Sequence, residues 1–158
     1  MKQHHYQVNT HWTGNIGFGT AHYKAYDRAH AVQVAQKPVI QLSFDPSFLG
    51  DPSKYNPEEL FLAALSSCHM LWYLHLCASN GVIVLEYQDK GTGTMLELAD
   101  GSGSFIEVIL YPEVVVTTTE MIGLAQELHQ EAHKKCFIAN SCNFPLLHQA
   151  SISITQIG

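Results

Sequence analysis

Asn56 to Gly81 reads NPEELFLAALSSCHMLWYLHLCASNG, and this stretch decides the fold. Asn56 is a good N-cap, Pro57 suits the first helical position, and Glu58 and Glu59 sit where the helix dipole favours negative charge. Asn80-Gly81 supplies a left-handed stop. The spacing predicts one long helix, apolar on nearly every face, and such a helix is expected to be buried on all sides. A thiol, Cys68, lies near its middle. In that setting it is either an inert small hydrophobe or a guarded nucleophile.

Around this helix the chain has 158 residues, enough for one domain, residues 1–158, with a real core. It is 46% hydrophobic and only 14% charged. That apolarity points to a further buried surface such as a subunit interface. The formal charge is −6 and Arg28 is the only arginine, so no basic patch exists to grip nucleic acid. The N-terminal MKQHHYQVNT has no apolar signal-peptide core. Leu60 to Ala78 approaches membrane-spanning length, but Ser66, Ser67, His69 and His75 interrupt it, and no membrane span is expected. Four cysteines (68, 77, 136 and 142) without scaffold spacing fit a reducing, cytoplasmic setting.

Strands are expected at His4 to Trp12, within Gly17 to Ala35, and at Pro38 to Phe44, followed by a loop from Asp45 to Tyr55. After the long helix come Val82 to Tyr87, Thr94 to Leu98, and Ser104 to Thr117, with Asp100-Gly101-Ser102-Gly103 as a turn. Pro112 marks a bulge or an edge. A second helix is expected from Thr118 or Thr119 to Lys135. Met121, Leu124, Ala125, Leu128 and Ala132 form its apolar stripe, which Cys136 extends by a turn. Ala150 to Ile157 alternates as a last strand. Strands, helix, strands, helix, strand argue an α+β fold, two helices packed on sheet.

A thiolate at Cys68 needs a cation, because the helix dipole fades beyond the first turn. Arg28 is the one guanidinium, always charged and suited to a thiolate or a polar oxygen. Cys77 cannot partner Cys68 within a straight helix, being about 13 Å along the axis and half a turn out of phase. Cys136 can meet it if the two helices pack together, and Cys142 is a third possibility. His129, His133 and Cys136 offer a metal clamp, but without a further ligand signature, and histidines four apart also occur on ordinary exposed faces. A Cys68–His69 hydrolase pair is disfavoured because neighbours on a helix point about 100° apart.

NPEELFLAALSSCH and HKKCFIANS together resemble the two signatures of the OsmC/Ohr family, the osmotically inducible and organic hydroperoxide resistance proteins. At the second cysteine the best-known members carry Cys-Pro, where this chain has Cys136-Phe137. The resemblance implies an intertwined α+β homodimer in which two long helices pack against antiparallel sheets. It implies a thiol peroxidase acting on organic hydroperoxides, with no metal or cofactor and an external dithiol reductant. Cys68 would be the peroxidatic thiol, Cys136 the resolving thiol, Arg28 the catalytic arginine and Glu58 the residue that orients it. Ten helical residues, about 15 Å, separate Glu58 from Cys68. Either the helix is broken near its start, or Glu58 acts across the subunit interface. A non-catalytic OsmC-like protein that binds a small ligand or senses redox state is the alternative.

Overall fold

The computed structural model describes residues 1–155 and divides the chain into two compact units, residues 1–60 and 61–158.

In the first unit, β1 (Asn9–Trp12), β2 (His30–Gln33) and β3 (Ile40–Leu42) form an antiparallel sheet in that order. These strands are shorter than the sequence suggests. Residues 13–29 are largely a turn-rich loop, so Arg28 lies just before β2 and not within a long strand. The loop is tied down locally. The Trp12 indole donates to the Asp27 carbonyl at 2.9 Å, and the Asp27 N–H donates to the Gly14 carbonyl at 2.9 Å. A Cβ on Gly14 would stand 1.9 Å from the Asp27 oxygen, so only glycine permits this approach.

Helix α1 spans Pro57–Ser79 without a break. Its start is a reciprocal cap: the Glu59 N–H donates to Asn56 Oδ1 at 2.8 Å and the Asn56 N–H donates to Glu59 Oε2 at 3.1 Å. Its end is a Schellman turn. Gly81 has φ 74°, and the Val82 N–H reaches back to the Cys77 carbonyl at 2.9 Å. Val82 then packs into the same core as Cys77.

In the second unit, β4 (Val84–Asp89), β5 (Thr92–Glu97), β6 (Gly103–Leu110), β7 (Pro112–Val116), β8 (Leu146–His148) and β9 (Ser151–Ile154) make two three-stranded sheets, β4-β7-β9 and β5-β6-β8. They share one register. Asp89 faces Pro112 in the first sheet; three residues on along one strand and three back along the other, Thr92 faces Ile109 in the second. The parallel pairs behave likewise, Leu110 with His148 and Glu113 with Ser151. Three long strands are thus interrupted at one level, where Pro112 lacks the N–H that a continuous ladder requires. The pairings β4–β7 and β5–β6 are antiparallel as expected, and β6–β8 and β7–β9 are parallel, so each sheet is mixed: the chain returns after α2 along the direction of its neighbour. Of the expected strand Ala150 to Ile157, Ser151–Ile154 forms, and residues 156 and 157 lie outside the described ones. Strand β8 was not foreseen.

Asp89 closes the interruption. Its Oδ1 accepts the Tyr111 N–H at 2.7 Å, and its Oδ2 accepts the Ser66 hydroxyl of α1. One carboxylate therefore satisfies the free backbone donor and ties α1 to the sheet. Asp89→Ala is expected to destabilise the protein by about 2 kcal/mol, read from the urea midpoint, because it strands a charge-assisted donor pair. Asp89→Asn should recover most of that loss.

Helix α2 spans Ile122–Lys135, preceded by a 3-10 turn at Thr119–Met121. The buried core joins Tyr73, Cys77, Val82, Val114, Val116, Ala125, Leu128 and Ala132. The expectation of a helix buried all round is corrected. Only Leu65, His69, Tyr73 and Cys77 of α1 are buried, one residue every fourth position, while Leu71 on another face is 61% exposed. The single chain covers one face of α1 and leaves the rest open.

Candidate functional site

Cys68 is half-buried on α1, one residue off the buried stripe. Cys136 is fully buried at the C-cap of α2, with its N–H bonded to the Ala132 carbonyl. The packing of α1 on α2 brings the two thiols next to each other, the Cys68 sulfur among the groups that surround Cys136. Burial, and then the neighbouring Cys68, push the Cys136 thiol up to about 11. The Ala139 N–H, 3.4 Å from its sulfur, pulls weakly the other way. Cys136 is thus a held, protonated thiol against a more open one. Both are free, as are Cys77 and Cys142. Cys77 is buried beside Tyr73, and Cys142 donates to the Ile138 carbonyl at 3.2 Å among the residues around Leu65.

A cleft of about 390 Å³ opens at Cys68, lined otherwise by Ala64, Ser67, Leu71, Trp72, Phe137 and Ile138. Apart from the serine hydroxyl and the thiol, that lining is aliphatic and aromatic. Phe137 packs edge-on to Trp72 with ring centres 5.6 Å apart, and the Lys135 ammonium lies 5.7 Å from the Trp72 ring centre. Residues adjoining the second cysteine therefore form one wall of the cleft that holds the first.

Arg28 and Glu58 belong to the first unit. The Arg28 guanidinium donates to the Tyr26 carbonyl at 2.5 Å and the Tyr23 carbonyl at 2.6 Å. It also packs against both rings, 4.1 Å from the Tyr26 centre and 4.5 Å from the Tyr23 centre. Its orientation is set by its own loop. Glu58 sits in the first turn of α1 with Oε2 buried and without a hydrogen-bond partner. No ion pair joins it to Arg28 among the described residues. Because α1 is continuous, the broken-helix alternative for Glu58 is ruled out, and Glu58 and Cys68 stand about 15 Å apart along one helix axis.

The residues that sequence reasoning missed are histidines. His69 of α1 and His129 of α2 are both 0% exposed, and His69 Nε2 lies 3.0 Å from His129 Nδ1. Tyr73 stacks on His129 at 3.8 Å between centres, and the His148 ring lies 5.6 Å from His69 and 5.9 Å from His129. His133 follows, 6.0 Å from His148. Burial, then the neighbouring imidazoles, push His69 down to about 4 and His129 to about 3. Burial, then His133, lowers His148 as well. The spacing of His129 and His133 had suggested a metal clamp or an exposed face. Neither describes His129, and no three ligating side chains stand in metal-holding geometry among the described residues. The usable signal was the four-residue repeat Leu65-His69-Tyr73-Cys77, with a polar residue inside it.

No curated protein matches the chain in sequence. Among solved structures it is similar to an OsmC-like protein of unknown function from Vibrio cholerae, at 29% identity and TM-score 0.84, over 94% of this chain and 100% of that one. It shares its fold with an organic hydroperoxide resistance protein from Elizabethkingia anophelis, at 18% identity and TM-score 0.68, over 98% of this chain and 100% of that one. It also shares it with one from Legionella pneumophila, at 14% identity and TM-score 0.66, over 97% and 99%. The model of the family described as OsmC-like protein matches residues 50–147, a span that contains both thiols, both helices and the cleft between them. With that match over more than half its length, and with two facing cysteines on two packed helices, the chain belongs to the OsmC-like protein family.

Proposed function

We propose that the protein is a thiol peroxidase that reduces organic hydroperoxides, with Cys68 as nucleophile and Cys136 as resolving thiol. The observation that carries this reading is the contact of an open thiol with a buried, protonated one beside an apolar cleft. In the first step the Cys68 thiolate attacks one peroxide oxygen and the O–O bond breaks. The alkoxide leaves and takes a proton to become an alcohol, and Cys68 becomes a sulfenic acid. Next, the Cys136 sulfur attacks the Cys68 sulfur. The S–S bond forms, and the sulfenic oxygen leaves with the Cys136 proton as water. An external dithiol then reduces the disulfide by exchange and is itself oxidised. No metal or cofactor enters any step.

In this scheme Arg28 supplies the cation that holds the Cys68 thiolate and the peroxide oxygen, and Glu58 orients it. The support is chemical. Arg28 is the only arginine, and Glu58 carries a buried carboxylate oxygen that lacks a donor. The open apolar face of α1 supports a homodimer in which a second copy covers it, and Glu58 then serves the partner's thiol. A cytoplasmic location fits the four free thiols.

The test is consumption of cumene hydroperoxide by reduced protein with a dithiol present. Turnover that depends on the dithiol supports the peroxidase. Binding of the hydroperoxide in the cleft without consumption would indicate a ligand-binding protein instead.

A further inference from the structure

The His69 and His129 rings are parallel within 4°, their centres are 5.3 Å apart, and two nitrogens stand 3.0 Å apart. Only a nearly coplanar, edge-to-edge placement satisfies all three values. This is an in-plane hydrogen bond in which one imidazole donates the single proton between Nε2 and Nδ1 and the other accepts it. The outer nitrogens, His69 Nδ1 and His129 Nε2, are buried and have no partner. This is the only side-chain hydrogen bond between α1 and α2 among the described residues. It is placed to control the approach of Cys68 to Cys136. His69 follows Cys68 directly, and His129 precedes Cys136 by two turns on the same face of α2.

We propose that the His69–His129 bond is the pin that sets the register of α1 against α2, and so the Cys68–Cys136 distance, and that protonation of both rings releases it and disfavours disulfide closure. A first added proton goes to the bare outer nitrogen and leaves the bond in place; with both rings protonated, both facing nitrogens are donors and two N–H groups point at each other. The surroundings offer no compensation. The groups facing the pair are Tyr73 from α1, His133 from α2 and His148 from the segment after it, with Tyr87 of β4 behind Tyr73. None supplies a negative charge. The pair acts through the cysteines, as positioning residues, and touches no substrate.

The proposal rests on Cys68 and Cys136 working as a dithiol, but its test needs no peroxide. Diamide oxidises a dithiol directly. One sulfur adds across the N=N bond, and the second displaces it to form the disulfide. The hydrazine product carries off both thiol protons. Closure is followed by quenching with an alkylating reagent and mass spectrometry, in the wild type, in His129→Leu, and in the double variant His69→Gln with His129→Asn. In the double variant the glutamine amide replaces Nε2 and the asparagine amide replaces Nδ1, so a bond between α1 and α2 is kept that cannot titrate. At pH 7, His129→Leu should close about tenfold more slowly than wild type, the worth of one buried hydrogen bond, while the double variant stays within about threefold. Between pH 6 and pH 4.5 the wild type should slow more steeply than the double variant. Equal closure in His129→Leu and wild type, or the same acid slowing in the double variant as in wild type, overturns the proposal. Should His129→Leu fail to fold, the pH comparison alone decides. Normal closure with diamide and no peroxide turnover would defeat the peroxidase reading and leave the pin intact.

Discussion

Cys68→Ser should lower dithiol-dependent consumption of cumene hydroperoxide by at least about a thousandfold, because a serine hydroxyl is a far poorer nucleophile at neutral pH and nothing else in the cleft replaces it. Cys136→Ser should behave differently. Its first turnover proceeds, since Cys68 and the apolar cleft are untouched, but the sulfenic acid then persists and is trapped by a dimedone-type reagent. The contrast between the two variants follows from the environments of the two sulfurs. Cys68 opens on the apolar cleft. Cys136 is fully buried and held well above the usual thiol range by burial, so it retains its proton until a sulfenic acid stands next to it. If both serine variants lost the first turnover equally, these roles would be wrong.

The second large effect concerns stability in acid. His69 and His129 titrate near 6.5 when unfolded and are pushed down to about 4 and about 3 when folded, mainly by burial. The unfolded chain therefore binds protons that the folded protein refuses. The stability these rings contribute is fully present above about pH 6.5 and is lost as the pH falls toward their folded values. Two such groups remove on the order of 3–4 kcal/mol between pH 7 and pH 5. Urea unfolding at the two pH values measures the loss in wild type. The double variant His69→Gln with His129→Asn, which cannot titrate there, should lose several kcal/mol less over the same interval. Equal losses would mean that other groups dominate the acid response.

Much of the fold was legible because local signals agreed with tertiary structure. Asn56, Pro57 and Glu59 announce the start of α1, and Asn80-Gly81 announces its end; both caps form. The stripe on α2 predicted that Cys136 faces inward, and it is fully buried. What failed was orientation. A helix apolar on every side carries no periodic signal for which face turns inward, so burial of only the Leu65, His69, Tyr73 and Cys77 face of α1 was not readable. The histidines were missed for a related reason. A polar residue within an apolar stripe looks like an exception until its partner on another helix is known, and His69 and His129 lie sixty residues apart. The interrupted strands were partly visible in Pro112, but the carboxylate that closes the gap comes from Asp89, a long-range pairing that no local pattern encodes. Of the candidate site, motif and spacing singled out the two cysteines that the packed helices set next to each other. The fixing of Arg28 between Tyr23 and Tyr26 follows from the loop and not from strand propensity.

The most direct measurement is peptide mass spectrometry of the reduced protein after one equivalent of organic hydroperoxide, with free thiols alkylated before digestion. A bond between the peptides carrying residues 68 and 136, formed within one chain, with residues 77 and 142 alkylated, is the expected result. Sulfinic acid at position 68 beside an alkylated cysteine at 136, or a bridge from 68 to 142, would contradict it.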